Sequence, residues 1–141
     1  MIDDFVTAKA LVDKIEAFAI LHNYRLSKQD AAFTPDPEEV YLKETFLPND
    51  TNPLGLAANS SDEQKPIYQV DIFTPKTFDS KFPAQAIANL IKAEFPRADF
   101  IVNTSEQTVK ISNVSARPMP NNKTHLWTMV NIDLVVLACN S

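Results

Sequence analysis

The sequence predicts an α+β fold, a mostly antiparallel sheet with two helices packed on one face, in the order α-β-β-α-β-β. Three observations carry this expectation. Apolar residues recur at steps of three and four in two segments, one near the start of the chain and one after residue 80. They alternate at every second position in other segments, and the longest of these closes the chain after the turn-rich stretch RPMPNNK. The first period is that of a helix with one buried stripe, the second that of a strand.

Asp3 or Asp4 can cap the first helix. Phe5, Ala8, Leu11, Val12, Ile15, Phe18, Ala19 and His22 then form one stripe, widened by Ile2 and Val6, on a helix of about eighteen residues that frays near Asn23. After Pro35 and Pro37, the segment EEVYLKETF places Val40, Leu42 and Phe46 in alternation, with Glu44 breaking the series, and predicts the first strand. Residues 47–66 follow, a long polar loop rich in Asn, Asp, Ser and Pro with no period of either kind. Connections of that length in a compact domain are functional or disordered. Leu47, Leu54 and Leu56 within it suit a segment that orders against a partner.

IYQVDIFTP, residues 67–75, predicts the second strand, with Tyr68, Val70 and Ile72 on one face and Ile67 and Phe73 on the other. Asp79 or Ser80 caps the second helix, Pro83 sits in its first turn, and Pro96 ends it. Phe82, Ala86, Ile87, Leu90, Ile91 and Ala93 are its expected buried face. FIV (residues 100–102) and TVKISNV, with Val109 and Ile111 inward, give the next strands, and residues 126–139 the last. The sheet face away from the helices carries Phe73, Trp127 and Met129 beside Asn131 and Asp133, a mixture suited to an oligomer interface. One domain, residues 1–141, accounts for all of this.

Composition removes several function classes. The chain has one glycine, Gly55, and ten prolines, where average usage would give on the order of ten glycines. Phosphate-binding loops, the dinucleotide fingerprint and the nucleophile elbow each need several at close spacing. The thirteen basic residues are scattered singly, so no basic stripe marks a nucleic-acid interface. The net charge of −5 is concentrated: residues 34–63 hold seven acids against Lys43, a local −6. The acidic start of the chain is unlike a secretion signal, so synthesis in a reducing cytoplasm is expected, and Cys139 reads as a small buried hydrophobe.

Candidate chemistry is sparse. His22 and His125 lack any partner at metal-ligand spacing, and each reads as a structural or surface residue. Glu38 and Glu39 are neighbours that point apart on a strand. Asp71 and Asp133 lie within strands and would form an acid/base pair only if those strands placed them face to face, the one route to a small α+β enzyme. No cofactor or metal is expected.

The element order, with YLKETFLPND, then KPIYQVDIFTPKTFDSKFPAQAIANLIKAEF, then HLWTMVNIDLVV, resembles the group of small phage tail proteins that includes the tail terminators. The resemblance runs from about Phe5 to Val136. Members commonly carry a glycine just before the second strand, where this chain has Pro66. The resemblance implies a structural protein of the virion, made in the bacterial host, at the head-proximal end of the tail. It implies a hexameric ring that caps the tail tube, stops its growth and offers a surface to the head connector; a head–tail joining or minor tail role is the alternative. Leu47, Leu54, Gly55, Leu56, Phe73, Trp127 and Met129 would then meet another subunit or the tube, with Gly55 as the flexible point of the loop. Asp36, Glu38, Glu39, Asp50, Asp62 and Glu63 would line the bore, where six copies of a −6 segment, about −36 in all, would repel passing DNA.

Overall fold

A computed structural model of the chain describes residues 1–29, 31–55, 61–76, 82–120 and 124–139. The first helix, α1 (Asp4–His22), begins where Asp3 caps it by accepting a bond from the Phe5 N–H. It ends at Asn23, whose left-handed backbone (φ 59°) turns the chain and points the Tyr24 N–H back to the Ala19 carbonyl. Its buried face is Thr7, Leu11, Ile15, Phe18 and Ala19. Phe5 and Val6, expected inward, are exposed instead. Thr7 takes the inward position because Gln107 holds it there: the Gln107 amide donates to Thr7 Oγ1 (2.9 Å) and to the Asp3 carbonyl (3.2 Å), and its oxygen accepts the Asp3 N–H.

Two strands follow, β1 (Arg25–Ser27) and β2 (Tyr41–Leu47), paired in parallel. β1 has no sequence signature, since three residues are too few to show alternation. Beyond it Gln29 takes over the edge of β2, donating its N–H to Glu44 Oε1 and accepting the Phe46 N–H, both at 2.7 Å. Glu44, which breaks the apolar series of β2, is thereby kept buried on the helix-facing side.

The polar loop is more regular than its sequence suggests. It contains β3 (Asn52–Pro53) and β4 (Asp62–Gln64), an antiparallel pair. β5 (Ile67–Pro75) follows as expected. α2 (Phe82–Glu94) packs through Ala84, Ile87, Ala88 and Ile91, with Phe95 just beyond it. Ala86, Leu90 and Ala93, placed inward by the sequence reading, are exposed. The small Ala84 and Ala88 let the helix lie close to the sheet and set its rotation. The expected caps Asp79 and Ser80 and the Phe82 side chain lie outside the described residues. The chain ends with β6 (Phe100–Asn103), β7 (Gln107–Met119) and β8 (His125–Ala138). Arg117, Pro118 and Met119, read as turn residues, continue β7, because β8 offers a paired partner as far as Trp127.

The sheet runs β1-β2-β5-β8, with β7 on the other side of β8 and β6 beyond it. Among the described residues, only the β1–β2 pair is parallel. β8 is the spine: residues 125–133 pair with β5, and residues 136–138 pair with β4. Pro66, where the resembling group has glycine, is buried between these two pairings and its carbonyl accepts the Leu134 N–H. Lacking an N–H, proline suits the break between two strands that share one neighbour. Both helices lie on one face, sharing a core with Tyr68, Val70, Ile72, Val109, Ile111, Val130, Ile132, Leu134 and Val136. The sheet curls, so that α1 touches β1 and β2 on one side and β6 on the other. No described helix is long and apolar enough to cross a membrane.

Candidate assembly surface

Strand alternation decides what the open face of the sheet displays. Since Leu42, Phe46, Tyr68, Val70, Ile72, Val130 and Ile132 face the helices, their odd-numbered neighbours face away: Tyr41, Lys43, Asp71, Phe73, Trp127, Met129 and Asp133. At the N-terminal end of β8 this face is an aromatic block. Phe33, Tyr41, Phe73 and Trp127 follow one another at 5.1, 4.6 and 5.7 Å between ring centres. His125, the first residue of β8, stands edge-on to Tyr41 and is fully buried, the structural rather than the surface role. Its Nε2 donates to the Glu39 carbonyl (3.0 Å), a group that only accepts, which leaves Nδ1 to accept from Thr124 Oγ1 (2.7 Å).

Asp71 is almost fully buried here. It accepts two bonds from the Gln69 amide (3.1 and 3.0 Å) and one from the Trp127 indole (2.9 Å). Asp133 is not its partner. Asp71 lies opposite Met129 and Asp133 opposite Ile67, so four residues, about 13 Å of strand, separate the two carboxylates. The acid/base pair therefore does not form. Among the described residues, no group of three or more His, Cys, Asp or Glu side chains is placed to hold a metal ion.

The sequence-predicted contact residues divide. Phe73 and Met129 are buried by their own sheet neighbours, and Trp127 is half-covered. Leu47 and Leu54 are exposed at 44% and 56%. Leu56 lies outside the described residues. Gly55 does not adopt a positive φ, so the backbone there does not require glycine. The left-handed positions are Asn23 and Ala98 instead. Cys139 is exposed, not buried, because it follows the last β8 residue.

The structure adds two residues to Leu47 and Leu54. Ile67 pairs directly with Leu47, and Leu137 pairs with Glu63 on β4; both are exposed and both lie on the open face. Leu54 follows β3 and donates its N–H to the Ser61 carbonyl, extending the β3–β4 pairing. Asn52, opposite Glu63, shares the face of Leu137, and Leu54 two residues on shares it too. Leu47 and Ile67 thus form one exposed aliphatic pair on the open face beside Asp133, while Leu137 lies four residues, about 13 Å, further along β8 and Leu54 beyond it on the β3 side. Sequence reading missed Ile67 and Leu137 because strand alternation alone cannot tell a covered end of a face from a bare one.

The acidic segment is split by the fold. Asp36, Glu38 and Glu39 precede β2, whereas Asp50, Asp62 and Glu63 follow its far end, about 20 Å away along the strand. Glu39 is near Arg25 (3.9 Å) and Glu63 near Lys65 (3.8 Å).

The open face of the curled sheet thus presents Leu47, Leu54, Ile67 and Leu137 to the surroundings. The sequence matches the family described as phage tail terminator protein over residues 7–133. The chain belongs to the phage tail terminator protein family. The chain is therefore a structural component of the virion tail that interacts with the tail tube, not an enzyme. No curated protein is recognisably similar to it in sequence. Twelve solved chains match the fold, and one of them superposes with a TM-score of 0.72 at 20% identity. That match covers 98% of this chain and 96% of the other, so the whole fold is shared.

Proposed function

We propose that the chain closes into a hexameric ring on the head-proximal end of the tail tube, stops tube growth and presents its outer side to the head connector. The family supports the tail-end role, and the exposed aliphatic side chains of the open face, with Leu47 and Ile67 side by side, are the observation that supports a further protein contact. A monomer that exposes Leu47 beside Ile67, with Leu137 and Leu54 further along the same face, gains by burying them. Two non-identical surfaces meeting repeatedly close a ring when the rotation permits. Trp127 is a further point of contact on the open face. In this reading Asp36, Glu38 and Glu39 face the bore, where their charge keeps DNA from adhering as it passes.

Tail tube protein polymerised with and without the full chain tests this. Electron microscopy is expected to show tubes of limited length with added density at one end. Tubes that grow unchanged and carry nothing at either end would overturn the reading.

A further inference from the structure

One edge of the sheet is both long and open. β7 pairs with β6 only as far as Lys110, and the Ile111 backbone bonds to Ala98 and Asp99. From Asn113 to Met119 it pairs with β8 on one side and, among the described residues, with nothing on the other. The ladder fixes which backbone groups this edge offers. Leu134 donates its N–H to Pro66, away from β7, whereas the Asp133 carbonyl accepts from Ser112 on β7. Even-numbered residues of β8 are thus turned to β5 and odd-numbered ones to β7, since backbone direction alternates along a strand. Val114, Ala116 and Pro118 stand opposite Ile132, Val130 and Thr128. Their backbones therefore turn outward, offering N–H groups at Val114 and Ala116 and carbonyls at all three. Pro118 lacks its N–H only where β8 does not need one.

Beside this edge, under the flank of α2, lies a groove of about 270 Å³, lined by Gln85, Ala88, Asn89, Lys92, Ala116 and Thr128 among others. The side chains of Val114 and Ala116 lie on the helix side of the sheet, so a strand added to β7 sends every second side chain towards the groove. Ala88 and Ala116 are small and leave it room. Gln85 and Asn89, exposed and one helical turn apart, offer amides to such a strand. We propose that an extended segment of the tail tube protein binds here, pairing with the backbone of residues 114–118 as a further strand of the sheet and setting alternate side chains in the groove.

The occupant is a different protein because this chain has no matching strand to give. Among the described residues, β1 has three residues, and Gln29 fills the β2 edge beyond it. β3 has two residues, one of them Pro53, and β6 has four, with α1 packed beside it. Two β7 edges join only about a two-fold axis, which closes a pair of copies and does not repeat around a tube. The tail tube is the partner that the family supplies. The proposal rests on that interaction and not on the number of copies in the ring.

Amide exchange of the full chain, alone and bound to an excess of short tail tubes, tests it when read residue by residue in the mass spectrometer. Alone, Val114 and Ala116 are expected to exchange faster than Ser115 and Arg117, whose N–H groups turn to β8. On tubes, Val114 and Ala116 are expected to slow by on the order of tenfold or more while Ser115 and Arg117 stay unchanged. Ala116→Pro removes one outward N–H and no ladder bond, and Asn89→Trp fills the groove from an exposed position. Each is expected to weaken binding to tube ends by on the order of tenfold or more. Circular dichroism and melting temperature show whether each variant is folded, and Asn89→Trp decides if Ala116→Pro is not. Folded variants that bind like the parent, or unchanged exchange at Val114 and Ala116 in the bound chain, would overturn the strand site and leave the tail-end role standing. Slowing that appears on concentration alone, without tubes, would overturn the tube as occupant in favour of a second copy. A parent chain that never binds tubes would overturn the tail-end reading and the site with it.

Discussion

The Trp127 indole N–H donates to the Asp71 carboxylate at 2.9 Å, diagonally across the β5–β8 ladder. The chain's one tryptophan and its most chemically suggestive carboxylate are thus engaged with each other. Asp71 is 3% exposed and its other bonds come from Gln69, so its burial is balanced by donors rather than by a cation. Replacing Asp71 by Ala leaves the indole and amide donors unsatisfied and is expected to destabilise the fold by about 1–3 kcal/mol. Denaturant unfolding followed by Trp127 fluorescence checks both the loss and the change around the indole. Stability equal to the parent would show that the network contributes nothing.

Tyr68 is fully buried among the core side chains, 6.3 Å from Phe95 between ring centres. Its hydroxyl lacks a hydrogen bond of good geometry. Burial first, and then the nearby Glu44 carboxylate, raises its ionisation far above the ordinary phenol range. In the unfolded chain the phenol ionises near pH 10, while the folded protein still holds the proton. The unfolded state therefore gains from every rise in pH above about 10, and stability falls there by about 1.4 kcal/mol per pH unit. Tyr68→Phe is expected to remove that part of the alkaline loss and to cost little at pH 7. Stability curves of the two proteins that stay parallel from pH 8 to 11 would refute it.

Ala98 holds φ at 71°, a left-handed position before β6, where its N–H donates to the Ile111 carbonyl at 2.8 Å. A β-carbon costs about 1–2 kcal/mol in that conformation. Glycine would remove the clash but adds freedom to the unfolded chain worth about 0.4–1 kcal/mol. Ala98→Gly is expected to stabilise the protein by about 0.5–1 kcal/mol, read as a higher denaturant midpoint at unchanged slope.

Gln107 ties the start of α1 to β7 through three bonds to Asp3 and Thr7. Gln107→Ala is expected to cost about 2 kcal/mol, since it leaves the buried Thr7 hydroxyl and the Asp3 N–H without their partner. Amide exchange at residues 4–8 should rise more than at residues 15–19, where Ile15 and Phe18 hold the helix by packing. Uniform loss of protection along α1 would count against a local anchor.

Leu47→Ser and Leu54→Ser remove side chains already in water. Each is expected to change monomer stability by no more than about 0.5 kcal/mol while lowering binding to tube ends. A loss of folding equal to the loss of binding would mean that these leucines serve the monomer.

Sequence periodicity carried the long elements because their signals are local. Asp3 and Asn23 bound α1 through their own side chain and backbone, and alternation over residues 67–75 set which side of β5 is apolar. The glycine deficit excluded nucleotide-binding loops, and no later observation depended on more than side-chain spacing for that. What depended on distant residues was out of reach. β1, β3 and β4 exist because β2 and β8 offer them open hydrogen-bonding edges, not because two or three residues prefer a strand. Thr7 turns inward because Gln107, a hundred residues away, bonds it. Asp71 and Asp133 share a face but not a site, since register, fixed by the whole β5–β8 ladder, sets them four residues apart. The sequence by itself determined the fold class and the presence of exposed leucines in an acidic stretch. Only tertiary structure decided that Leu47 lies beside Ile67, and that the acids part to the two ends of β2, because strand pairing converts distance along the chain into distance in space.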